Sequence, residues 1–204
     1  MAYTKMASKI TVTLREALDY IQNPDKTEEL AYVYGGNCTP QFAASEFKLT
    51  KRDFDFSGKN LAYHFVQSFA PNETTPEQAH EIGKKLCEKF LKGEYEFVLA
   101  THNDKDHIHN HIIINSINRI TGQSFSRQHD QFDNPAWKTV RDISDQLCRE
   151  YNLSVIKNPE RGTRKGHYEW EQEKTGNSWK AMLKNAIDDC VMNAESFEDF
   201  LWKM

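Results

Sequence analysis

The sequence predicts an α+β domain: a central, mainly antiparallel β-sheet covered by helices, with a histidine-bearing hairpin in the middle. Three observations predict it. Runs of strand length, Leu61–Phe69, Tyr95–Thr101 and the β-branched Ile112–Ile114, alternate with apolar stripes at helical spacing. Two stripes open on capping-box patterns, Thr13-Leu-Arg-Glu16 and Thr75-Pro-Glu-Gln78. The polar Asn103-Asp-Lys-Asp106 between two strand runs reads as a hairpin turn.

Taken in order, Leu14, Ala17, Leu18 and Ile21 form the first helical stripe, ended by Asn23-Pro24. Tyr20 sits on its flank, about 100° from Ile21 on a helical wheel, so its ring can pack while its hydroxyl points outward. Leu30–Tyr34 reads as a strand stopped by Gly35-Gly36. Thr39-Pro40 opens a helix with Ala43, Ala44 and Phe47 inward. After the Leu61–Phe69 strand, the Thr75 helix carries Ala79, Ile82, Leu86 and Phe90. The two histidine-bearing strands follow, and Thr121-Gly122 reads as a turn. Asn134-Pro135 opens a helix with Trp137, Val140, Ile143 and Leu147, and Leu153–Ile156 reads as a short strand.

The character then changes. Residues 1–156 read as one domain, 157–166 as a basic, turn-rich loop or linker, and 167–204 as a helical extension. The extension holds one helix with Trp179, Met182, Leu183, Ala186 and Ile187, and a second opened by Ser196 with Phe197, Phe200 and Leu201. The last helix has no stop signal, so the natural protein is expected to continue past residue 204. There is no internal repeat.

A chain of 204 residues can bury a real core. It has no window of apolar residues long enough to span a bilayer and no apolar signal core at its start. No membrane insertion is expected. Cys38, Cys87, Cys148 and Cys190 are scattered without a C-x-x-C pair, as in reduced cytoplasmic proteins. The net charge of −4 argues against a general polyanion binder but leaves room for a local basic groove.

Chemistry concentrates in Thr101–Asn115. Four of the eight histidines, His102, His107, His109 and His111, fall within it. Strand alternation puts His109, His111, Ile113 and Asn115 on one face and Asn110, Ile112 and Ile114 on the other. The hairpin brings His102 back beside the pair. Three neutral imidazoles can hold a divalent ion with open coordination positions, a reactive rather than a structural arrangement. Manganese, zinc and activated magnesium all remain open. His107, at the turn exit, reads as facing solvent or a bound partner rather than as a ligand. There is no H-E-x-x-H, Walker loop or G-x-S-x-G elbow, which argues against a zincin, a P-loop nucleotidase and a serine hydrolase.

Three blocks in order resemble the relaxases, the mobilisation nucleases of conjugative plasmids and integrative elements, within the wider group named for a His-hydrophobic-His (HUH) metal motif. They are Ala17-Leu-Asp-Tyr-Ile-Gln-Asn-Pro-Asp-Lys-Thr27, His64-Phe-Val-Gln-Ser-Phe-Ala-Pro-Asn-Glu73 with Ala79-His80, and Thr101-His-Asn-Asp-Lys-Asp-His-Ile-His-Asn-His111 through Asn115. The nearest likeness is to the mobilisation class common in Gram-positive conjugative elements. The resemblance implies a DNA endonuclease that nicks one strand at the origin of transfer. A tyrosine attacks the phosphate, stays joined to the 5′ end, travels with the strand and later reseals it. By motif position Tyr20 takes the nucleophile role and His102, His109 and His111 the metal roles. The family's middle hydrophobic position is Asn110 here, a minor departure because that side chain points away from the ion.

The implied partners are single-stranded or hairpin origin-of-transfer DNA and the accessory and secretion coupling proteins of conjugation. The implied location is the bacterial cytoplasm, with export on the DNA. A phenol ionises near pH ~10, so it needs a nearby cation or base.

Individual residues carry rival readings. Tyr32 and Tyr34 compete with Tyr20. Glu73 either orients a ligand or helps deprotonate the tyrosine, or is a loop acid. Asp104 and Asp106 form the turn or support a ligand. Asn115 contacts DNA or bonds a strand end. Lys157, Arg161, Arg164 and Lys165 bind DNA phosphates or form a solvated loop. Two further functions compete: a replication-initiator nuclease, whose metal block commonly precedes its tyrosine, and a non-catalytic DNA-binding module with structural zinc.

Overall fold

A computed structural model of the chain describes residues 2–105, 107–129, 135–156, 179–194 and 196–203. It divides into two compact units, Met1–Lys157 and Asn158–Met204.

The first unit is built on an open five-stranded sheet in the order β1-β3-β5-β4-β2, with every neighbouring pair antiparallel. Its strands are β1 (Tyr3–Ile10), β2 (Val33–Gly36), β3 (Ala62–Ser68), β4 (Phe97–His102) and β5 (His109–Asn115). The helices are α1 (Leu14–Ile21), α2 (Ala43–Asp53), α3 (Pro76–Leu91), α4 (Phe125–His129) and α5 (Ala136–Glu150). This is the α+β architecture that the strand and helix periodicities predict.

Two apolar cores lie on opposite faces of the sheet. On one, α3 and α5 bring Ile82, Leu86, Phe90, Val140 and Leu147 onto Phe65, Leu99, Ile112 and Ile114. On the other, α1 and α2 bring Leu14, Leu18, Ile21 and Phe47 onto Ala62, Val98, Ala100 and Ile113. Both faces of the inner strands are thus covered, and every residue of β4 and β5 is buried. That is why the Phe97–Ala100 and Ile112–Ile114 runs are continuously apolar rather than alternating.

Several local expectations are corrected. The sequence reading has no strand at β1: it is an edge strand carrying Lys5 and Lys9, held by backbone pairing to β3 across a bulge between Met6 and Ser8. The β2 strand begins at Val33 and runs through the glycines expected to stop it. Thr13 makes no side-chain cap bond, so the first capping box does not form. Thr75 does cap α3, accepting from the Gln78 N–H at 3.3 Å, while the Gln78 side chain turns to Thr74 Oγ1. Leu153–Ile156 forms only an isolated bridge, Ala2 to Val155. Trp137 is 49% exposed rather than inward.

In the second unit, Trp179–Asn193 and Phe197–Lys203 form two further helices, α6 and α7. Ser196 Oγ accepts from the Asp199 N–H, the cap expected of it. Trp179, Met182, Leu183 and Leu201 are exposed, so the predicted stripes leave much apolar surface uncovered. No helix among the described residues is long and apolar enough to cross a membrane.

Candidate metal and nucleophile site

The hairpin of β4 and β5 sets His102 directly opposite His109, and Ala100 opposite His111. Opposed residues share a face, so all three histidines point to the α1 side, at the end of the smaller core. Their ligand atoms lie within 4.8 Å of one another. The expected turn closes this hairpin; Asp106 lies outside the described residues.

Each ring is oriented by a bond to its other nitrogen. His102 Nε2 donates to the Ile21 carbonyl at the end of α1, 2.8 Å away, which leaves Nδ1 as the lone-pair nitrogen. His109 Nδ1 donates to the His107 carbonyl at 3.2 Å, leaving Nε2. His111 Nδ1 lies 2.8 Å from Nε2 of His64 on β3, and His111 Nε2 is buried with no hydrogen-bond partner in the structure. A buried nitrogen without a partner is costly unless something supplies one. A cation would fit: the orphaned nitrogen would become a ligand atom, and His64 would accept the hydrogen bond from Nδ1 on the far side of the ring. One ring nitrogen for the ion and the other held by protein is the usual arrangement of a metal-ligating histidine.

Electrostatics favour the same state. Burial pushes His111 down to about 2 and His109 and His64 to about 4, with neighbouring histidines adding to the effect. His102 is lowered too, mainly by burial, against the pull of the Ile21 carbonyl. All four rings are therefore neutral near pH 7, with lone pairs free to bind. Magnesium normally prefers oxygen ligands and manganese tolerates imidazole, so three histidines leave the ion open among manganese, magnesium and zinc.

The Tyr20 ring lies 6.1 Å from both the His102 and His111 rings and is 53% exposed, so the phenol stands at the mouth of the cluster. Its rivals are engaged elsewhere. The Tyr32 hydroxyl donates to Glu77 at 2.7 Å, a bond to a carboxylate that raises its pKa to about 12, and its ring packs on His80. Tyr34 packs on Phe97.

On the opposite face, Asn110 is fully buried and explains its own departure from a hydrophobic residue. Its Nδ2 donates to Gln67 Oε1 at 2.9 Å and to the Ala79 carbonyl at 2.7 Å, and its Oδ1 accepts from Thr101 Oγ1 at 2.7 Å. Thr101 Oγ1 also pairs with His80 Nδ1, and Gln67 Nε2 donates to Ser144. Gly83 makes room for this network: a Cβ there would stand 2.7 Å from Asn110 Nδ2.

Asn115 shares the histidine face and is fully buried. It donates to Glu96 at 2.6 Å and to the Phe47 carbonyl, and its Oδ1 accepts from the Ser116 N–H. Glu73 accepts from the Ala70 N–H and from the Ser154 N–H and hydroxyl, tying the loop after β3 to the segment after α5. His107 is half-buried and stacks on His109, 5.2 Å between centroids. Lys157, Arg161, Arg164 and Lys165 lie outside the described residues. His64 was missed as a site residue. Strand parity in β3 sets it on the α1 face, but only the β3–β5 register brings it to His111.

A sheet carrying a three-histidine cluster and a tyrosine at its mouth defines the HUH class of nuclease fold. Residues 20–153 match the family described as "Relaxase: MobA/VirD2-like, nuclease domain". The chain belongs to that family. It is 35% identical over 203 residues to "Protein rlx" of Staphylococcus aureus, covering 98% of this chain and 58% of that protein. It is 33% identical over 221 residues to "Group II intron-interrupted relaxase LtrB" of Lactococcus lactis subsp. cremoris (strain MG1363), covering 92% of this chain and 39% of the relative. A third similar protein is "Protein TraI" of Escherichia coli, 29% identical over 143 residues, 68% of this chain and 19% of that one. The chain thus spans between about two-fifths and three-fifths of the first two relatives' lengths.

Proposed function

We propose that this chain is the nicking and joining domain of a DNA relaxase, and that Tyr20 is its nucleophile. The observation that carries the reading is the Tyr20 ring packed against two of three converging histidines. His102, His109 and His111 hold a divalent ion, manganese or magnesium, with zinc as a further option. When bound, that ion supplies positive charge to the non-bridging oxygens of the scissile phosphate.

The rest falls to the protein. Ile21, His107 and His64 fix the three ring orientations. The open mouth admits a phosphate beside the phenol, which suits in-line attack. Tyr20 Oη bonds to phosphorus and loses its proton. The bond from phosphorus to the 3′ oxygen breaks, and that oxygen takes up a proton as a free 3′ hydroxyl. The phosphotyrosine ester retains the energy of the original diester, so reversal reseals the strand without a nucleotide cofactor.

Single-stranded or hairpin origin DNA is the substrate, because a phosphate on one strand must enter the mouth. Residues 1–156 form the nuclease domain and 167–204 a helical extension. Lys157, Arg161, Arg164 and Lys165 contact DNA phosphates along the connecting segment. The match to a relaxase nuclease family and to a relative named a relaxase supports a role in mobilisation. Its partners are conjugation accessory and secretion coupling proteins, and it acts in the cytoplasm and is exported with the strand.

The test uses single-stranded oligonucleotides tiled across the DNA adjoining the gene, with manganese. A covalent protein–DNA band should form, vanish in chelator and vanish in Tyr20→Phe, while Tyr32→Phe and Tyr34→Phe still form it. Peptide mapping of the adduct to Tyr32, Tyr34 or a histidine would sink the assignment.

A further inference from the structure

Lys26 and Asp104 stand beside Tyr20 and have no part in the chemistry described so far. Lys26 closes the short 3-10 turn Pro24–Lys26 that follows α1. Its Nζ lies over the Tyr20 ring, 4.5 Å from the centroid. Asp104, in the loop between β4 and β5, holds the same ammonium at 3.6 Å, and both side chains are only 24% exposed.

The backbone fixes this meeting point. The Asn103 N–H donates to the Lys26 carbonyl at 3.2 Å, and the Asn103 side chain bonds Glu28. His102, one residue earlier, bonds the Ile21 carbonyl. The hairpin that carries the histidines is therefore latched at two points to the segment that carries the tyrosine. The ring itself needs such help. It is 53% exposed on the flank of an eight-residue helix. A side chain with that much open space samples several rotamers. A cation over one face removes part of that freedom.

We infer that Lys26 is a positioning residue for Tyr20. Its ammonium, held by Asp104, covers one face of the phenol and keeps the ring beside the three-histidine site. The inference rests on the reading of Tyr20 as nucleophile. It assigns Asp104 a purpose beyond forming the turn: it spans the gap between the histidine hairpin and the tyrosine segment.

Lys26→Met keeps the length of the side chain and removes the charge. Lys26→Arg keeps the cation. The assay is single-turnover adduct formation with manganese and saturating amounts of the tiled oligonucleotide that gives the covalent band. Lys26→Met should lower the saturating rate about fivefold, the equivalent of about 1 kcal/mol. The oligonucleotide dissociation constant should stay within about twofold, and Lys26→Arg should recover most of the rate. Asp104→Asn should show a smaller loss, and adding it to Lys26→Met should cost nothing further, because both act through one ammonium.

A second measurement needs neither metal nor DNA. The NMR ring signals of Tyr20, assigned with Tyr20→Phe, should move in Lys26→Met and stay near wild type in Lys26→Arg. Thermal melting establishes that the variants are folded. Three results each overturn the inference: an unchanged saturating rate in Lys26→Met, a Lys26→Arg as impaired as Lys26→Met, or a loss confined to the dissociation constant, which makes Lys26 a phosphate contact. An adduct that persists in Tyr20→Phe defeats the nucleophile reading instead. The ring signals then still decide whether Lys26 holds Tyr20.

Discussion

Replacing His64 by Phe tests whether the fourth histidine governs the metal site without touching the ion. Phe keeps a ring of similar size on β3 but removes the Nε2 acceptor that lies 2.8 Å from His111 Nδ1. With metal bound, Nε2 must offer its lone pair, so the proton stays on Nδ1 and faces the Phe ring, and no acceptor orients the imidazole or raises its basicity. Loss of such a partner of a metal ligand weakens metal binding by ~10–100-fold. Titration calorimetry with manganese and with zinc reads the difference directly. His64→Gln, which retains an acceptor, should lose less. Binding within twofold of wild type in His64→Phe, for both metals, would refute the argument that His64 sets the His111 tautomer.

The remaining predictions concern stability. Asn110→Val conserves volume roughly but strands Gln67 Oε1, the Ala79 carbonyl and the Thr101 hydroxyl, all of which it bonds. A loss of about 2–4 kcal/mol is expected, or about 5–15 °C in melting temperature by calorimetry; a variant as stable as wild type would show that the network contributes nothing. His64, His80, His109 and His111 are all held well below the usual histidine range, the first three at about 4 and His111 at about 2, chiefly by burial. The unfolded chain takes up protons near pH ~6.5 while the folded chain does not, so the contribution of these groups is complete above that pH and is lost as pH falls toward 4. The melting temperature of chelated protein should therefore drop across pH 6.5 to 4, and a flat profile there would contradict the burial of these rings.

The sequence by itself determined which residues share a face within one element. Strand alternation put His109 and His111 together and sent Asn110 to the other side, and the polar Asn103–Asp106 stretch returned His102 to them. Helical spacing likewise set Leu14, Leu18 and Ile21 inward and left Tyr20 at the flank. These are short-range consequences of backbone geometry, with periods of 2 and 3.6 residues. What lies next to an element is a different matter. His64 meets His111 only because β3 pairs with β5 in one register. Lys26 meets Tyr20 and Asp104 only because a short turn folds back onto the hairpin. The edge strand β1 carries little apolar pattern of its own and takes its place by pairing with β3. Asn115 has the parity of a site residue, yet α2 and Glu96 cover it, so its amide serves packing. Parity says which way a side chain points; the helices laid over the sheet decide whether it meets solvent, a partner or an ion, because that depends on contacts between residues far apart in the chain.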